Sequence, residues 1–184
     1  RVLFRSQAMA RGLTRRGPLP FRAVNRRGDP DHDSGLQRHH LLPHQIAGKR
    51  CFGALFDAVA RERIGFDDFR RNGLLLPASD SAAIRIGLPL HRGPHRSYNA
   101  MVIERVGQIE RGWSQRRTKA PEAALGDALM RLGLLQRALR RRLLNPVRQR
   151  LSLNRRDPLG HSVDFAEHDA MAEALWGGTE PVEA

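Results

Sequence analysis

The chain has one cysteine, Cys51, in 184 residues. A lone thiol excludes an internal disulfide and any zinc site built on cysteine ligands. It lies in an apolar helical stretch, 51–56, and is expected as an inert thiol of the core rather than a reactive one. Aromatic residues are also scarce, at 5% of the chain against 40% apolar residues in all, so the core is expected to be small and aliphatic. No apolar run approaches the roughly 18 residues of a membrane span. The basic N-terminus is followed by neither an apolar h-region nor a small-residue cleavage site. The expected compartment is therefore the cytoplasm, or the exterior by a route that uses no signal peptide. Lysine is nearly missing as well: of 32 basic residues, 30 are arginine. Arginine's planar fork fits phosphate oxygens better than an ammonium does.

The charge that is present is unevenly placed. The net charge is +13, with +8 in residues 1–50, +2 in 51–113, +10 in 114–156 and −7 in 157–184. This division suggests a disordered basic N-terminal arm at 1–33, a nearly neutral folded domain at 34–113, a basic helical extension at 114–156 and an acidic tail at 157–184. The strong positive field points to a polyanionic partner, DNA or RNA.

Within the folded part, Ile46, Phe52, Leu55, Phe56 and Val59 recur at helical spacing and predict a helix over about 45–64, weakened near its start by Gly48 and Gly53. The segment 72–77 is short, apolar and closed by proline, which predicts a buried strand. A helix of about 94–113 is expected after Gly93-Pro94, burying Tyr98, Met101, Val102, Arg105, Val106, Ile109 and Trp113. Another should run from Pro121 to about Leu144, its stripe formed by Leu125, Leu129, Leu132, Leu135 and Leu139. The fold class is α+β, mainly helical.

Four histidines stand out as two pairs: His39-His40, and His91 with His95 about fifty residues on. Imidazole is the side chain that serves both as a neutral metal ligand and as a proton acceptor near pH 7. On an extended strand, His39 and His40 would point to opposite faces. They can share a site if the strand ends or bends there, and Pro43 lies close behind. Either pair alone is near what eight histidines supply by chance. The informative feature is their order: His39-His40, then Asn72-Gly73-x-x-Leu76-Pro77, then His91-x-Gly93-x-His95-x-x-Tyr98-Asn99.

That combination resembles the AHH family of nucleases, a branch of the HNH (His-Me finger, endonuclease VII-like) superfamily often found as bacterial toxin modules. The matching stretch covers about residues 36–113. The family's Ala-His-His appears here as Arg38-His39-His40, a departure at a position that is not a ligand. The resemblance implies a treble-clef-like ββα-metal core with a helical insertion between its strands and a C-terminal helical extension. It also resembles colicin-type HNH DNases, which implies His39, His91 and His95 as ligands of one divalent ion (Zn, Ni, Mg or Mn). It further implies His40 as general base and Asn72 as the orienting asparagine of the catalytic set. Arg38, Arg92 and Arg96 are candidate phosphate contacts. The implied activity is metal-dependent endonucleolytic hydrolysis of DNA or RNA, and a toxin module would have an immunity protein as partner. Tyr98 is expected to pack rather than react, and His44 is close enough to be a spare. His32 lies outside the four-histidine pattern, and His161 and His168, in the acidic tail, are expected bystanders. Two alternatives remain open: a non-catalytic basic nucleic-acid-binding protein with a structural metal site, and an inactive nuclease fold.

Overall fold

The computed structural model describes residues 17–145, 151–154 and 156–159. The expected disordered stretch 1–16, most of the acidic tail, and His161 and His168 lie outside them. The described part is mostly helical around one small antiparallel sheet. Strand β1 (Leu36–His40) pairs with β2 (Gly73–Pro77), with Leu36 opposite Pro77, His39 opposite Leu74 and His40 opposite Gly73.

A helical insertion separates the strands, as expected, but not as one helix. It consists of α1 (His44–Ala47), a 3-10 turn (Arg50–Phe52), α2 (Gly53–Val59), α3 (Arg61–Ile64) and α4 (Phe69–Asn72). Gly48 ends α1, and Ala60 between α2 and α3 takes φ 56°, which a continuous helix does not allow. Ile46, Phe52, Leu55, Phe56 and Val59 are nevertheless all buried. The 3-10 turn changes the helical phase, so Phe52 faces the core and Cys51 faces solvent. The expected core thiol is thus corrected to an exposed one.

After β2 come α5 (Asp80–Ile86), a loop, α6 (Arg96–Arg116) and α7 (Pro121–Leu144). Ser79 caps α5 by accepting the Ala82 N–H, and Gly87 closes it in the left-handed conformation. Helix α6 buries Tyr98, Val102, Arg105, Val106, Ile109 and Trp113 as expected, with Met101 only half-buried. Helix α7 has the expected limits but a rotated seam: Ala124, Ala128, Leu132, Leu135, Gln136, Leu139 and Leu143 are buried, while Leu125 and Leu129 lie at its edge.

Two expected boundaries move. Residues 114–156 are not an appendage, because α7 shares one continuous hydrophobic cluster with α2, α3 and α6, and Leu151 and Leu153 join it. The Leu stripe therefore serves packing. Residues 17–33, expected within the disordered arm, are tied down. Phe69 N–H donates to the Leu19 carbonyl at 2.7 Å, Leu19 N–H to Asp68 Oδ1 at 3.0 Å, and Arg70 Nη1 to the Gly17 carbonyl at 2.7 Å. Asn25 donates to the carbonyls of Asp33 and Leu36 and accepts the Asp33 N–H. These bonds, all but one between side chain and backbone, do the ordering in a segment that has little apolar periodicity. No helix among the described residues is long and apolar enough to cross a membrane.

Candidate metal and catalytic centre

The strand alternation of β1 decides where each histidine of the first pair goes. His39 turns inward and is 3% exposed, while His40 stays half-buried on the other side. The loop after α5 is pinned to the sheet where the His91 N–H donates to the Pro77 carbonyl at 2.7 Å. His95 is the residue before the first turn of α6, with φ −92° and ψ 58°, so the helix begins after it and not at Pro94. These three elements bring His39, His91 and His95 together. Ring centroids lie 5.0 Å apart for His39 and His91, 5.7 Å for His39 and His95, and 4.4 Å for His91 and His95. One ligand nitrogen from each lies within 4.8 Å of the others.

The hydrogen bonds on the far side of these rings fix which nitrogens are free. His91 Nδ1 is 3.3 Å from Gln37 Oε1, and His95 Nδ1 is 3.2 Å from the Leu153 carbonyl. A carbonyl oxygen only accepts, so each Nδ1 carries the proton and each Nε2 keeps its lone pair. His39 Nε2 is buried with no hydrogen-bond partner among the described residues. An unpaired buried nitrogen costs about 1–3 kcal/mol, a cost that a cation bound there would remove. The donor set therefore fits a divalent ion, and three imidazoles suit a borderline ion and leave coordination positions open.

Electrostatics agree. Burial, reinforced by His91 and His95, pushes the His39 pKa down to about 2. Burial and the neighbouring His95 push His91 down to about 4. His95 is also lowered, by burial, against the opposing effect of its bond to Leu153. All three are neutral at pH 7, the form that ligates.

His40 has different company. Its ring stacks on Phe21 at 3.7 Å with the planes 6° apart, and His44 lies at 4.4 Å. Burial foremost, then His44, pushes its pKa down to about 4, with Asp67 opposing. Asn72 is fully buried. Its amide accepts the Leu42 N–H at 2.8 Å and donates to the Leu42 and Phe66 carbonyls, and Gln136 Nε2 donates to it at 3.3 Å. With its amide so engaged, it holds the backbone of the turn after His40. Gly73 follows because a Cβ there would come within 2.2 Å of the Phe69 ring. Tyr98 donates to the Leu41 carbonyl at 2.7 Å and lies edge-on to His39, its phenol pKa raised by burial. It packs, as expected.

Of the candidate phosphate contacts, Arg38 donates to the Phe21 carbonyl at 3.0 Å, which holds the N-terminal segment over β1. Arg92 is exposed, and its carbonyl accepts from Asn154. Arg96 lines a cleft of about 400 Å³ with Pro94, Ser97, Leu153, Asn154 and Arg156. Sequence reasoning missed Gln37, Phe21, Leu153 and Arg156. Gln37 had a signal: it is two residues before His39 and so shares its strand face.

A family model described as a nuclease family of the HNH/ENDO VII superfamily with conserved AHH matches residues 20–134. Neither the comparison with curated proteins nor that with solved structures gives a match.

Proposed function

The chain belongs to the AHH family of nucleases, and on that premise we propose a metal-dependent endonuclease whose ion is held by His39, His91 and His95 and whose general base is His40. The observation that carries this reading is the buried His39 Nε2, unpaired among the described residues and grouped with two imidazoles whose Nδ1 atoms are already engaged. When bound, a divalent ion supplies Lewis acidity toward a phosphate oxygen.

The remaining work falls to side chains of the chain. His40 is neutral at pH 7 and accepts a proton from the water that attacks phosphorus. The stacked Phe21 fixes the plane of its ring. Arg96 and Arg156 in the cleft beside His95 contact backbone phosphates, with Arg92 at the rim, and the +13 charge draws the polyanion in. Asn72 keeps the turn after His40 in place. Arg38, engaged by the Phe21 carbonyl, supports the stacking segment.

The test is cleavage of plasmid DNA and of RNA side by side, with and without EDTA. Chelator-sensitive cleavage supports the proposal. Binding of nucleic acid without cleavage would return the protein to the non-catalytic alternative with a structural metal. A toxin role, with an immunity protein as partner, predicts growth arrest on cytoplasmic expression that His40→Ala abolishes.

A further inference from the structure

The loop that carries His91 and His95 has little regular structure of its own, and it is held from two sides. On one side is β2, through the Pro77 carbonyl. On the other are residues 151–154 and Asp157, which lie beyond the family match at 20–134. This segment is anchored first at Leu151, whose N–H donates to the Arg142 carbonyl at 3.3 Å and whose side chain, like that of Leu153, is buried. It then touches the ligand loop three times. Asp157 Oδ2 accepts the Leu90 N–H at 3.2 Å, Asn154 Nδ2 donates to the Arg92 carbonyl, and the Leu153 carbonyl engages His95 Nδ1 at 3.2 Å. The residues on both sides of His91, and the ring of His95 itself, are thus tied to one strap.

We propose that residues 151–154 and Asp157 form a positioning element of the metal centre, with the Leu153 carbonyl setting the tautomer of His95 and Asn154 and Asp157 holding the loop that bears His91. The inference rests on the proposed metal centre. A carbonyl on Nδ1 leaves Nε2 as the lone-pair nitrogen and fixes the ring plane. Loss of such a partner typically weakens metal binding 10- to 100-fold. The division of labour is then specific: β1 orients His91 through Gln37, and the strap orients His95.

The experiment uses the full chain and its Asn154→Ala, Asp157→Ala and double variants. Two quantities are read: Co²⁺ or Zn²⁺ affinity by competition with a chromogenic chelator, and the His95 tautomer of the metal-free protein from its imidazole ¹⁵N shifts. The expected results are affinity about 10- to 100-fold weaker in the double variant and a His95 no longer held as the Nδ1–H form, with helical circular dichroism unchanged. Asp157→Asn should keep near-wild-type affinity, because its amide oxygen can take the place of Asp157 Oδ2 as acceptor of the Leu90 N–H. Affinity within twofold of wild type together with an unchanged tautomer in the double variant overturns the inference. Wild-type protein that binds no ion overturns the metal centre instead, and the tautomer shift then decides the strap by itself.

Discussion

Replacing His39 by leucine should make the metal-free protein more stable while destroying its metal response. The wild-type side chain is 3% exposed and its Nε2 is unpaired among the described residues. Such a group costs about 1–3 kcal/mol in the folded state. Leucine is of similar volume and carries no polar atom into the space beside Tyr98, His91 and His95. For a chain of this size, 1 kcal/mol moves the melting midpoint by about 2–4 °C, so the variant should melt roughly 2–12 °C higher in EDTA. Wild type should recover the difference when an ion binds, since ligand at 100 times its Kd stabilises by about 2.7 kcal/mol. Differential scanning fluorimetry at pH 7.5, with EDTA and with Zn²⁺ or Mn²⁺, measures both effects. A metal-free variant that melts below wild type, or equal responses of the two proteins to metal, would refute the reasoning.

Asn72→Ala removes the acceptor of the Leu42 N–H and the donor to two buried carbonyls; unmet buried groups at about 1–3 kcal/mol each predict a loss of at least about 3 kcal/mol, read by urea denaturation at pH 7.5 in EDTA, and a loss under 1 kcal/mol would show that the bonds are incidental. Metal affinity should hold from pH 8 down to the ordinary imidazole value of 6.5 and fall only below it, because burial lowers all three imidazoles, His91 to about 4 and His39 to about 2. The same sign governs metal-free stability: folded values lie below the ordinary 6.5, so protons bind the unfolded chain first, and stability present above 6.5 is lost as pH falls toward about 4. Half-loss of affinity already near pH 6.5 would contradict the buried tripod. Arg96→Gln and Arg156→Gln should each lower the slope of log affinity for DNA against log salt by about 1 without changing metal binding; an unaltered slope in both would remove the cleft from the substrate path.

How much of this was legible in the sequence follows from where the signal resides. Helices α6 and α7 appear with nearly the expected limits because their apolar periodicity spans five to six turns, long enough to outweigh local preferences. The insertion was misjudged because the same five buried residues satisfy one long helix or several short ones joined by glycine and a positive-φ alanine. The seam of α7 shifted because it includes the small residues Ala124 and Ala128, which a stripe of large apolar residues undervalues. Residues 17–33 looked disordered since their order comes from Asn25, Asp68 and backbone groups rather than from buried apolar surface. At the centre, the ordered histidine pairs contain the three imidazoles that the structure brings together. The partner of His95 was not legible, because a backbone carbonyl is the same in every residue and Leu153 reads only as core. Phe21 likewise reaches His40 through the path of its segment, not through any spacing between the two.

The central claim divides labour within one dipeptide: His39 ligates and His40 moves the proton. Single-turnover cleavage of a labelled DNA by His40→Ala, loaded with one equivalent of metal and with occupancy verified in the same sample, tests it most directly. The account predicts full metal occupancy and cleavage slowed about 10²- to 10⁴-fold. Near-normal cleavage by the metal-loaded variant, or loss of the metal itself, would contradict it.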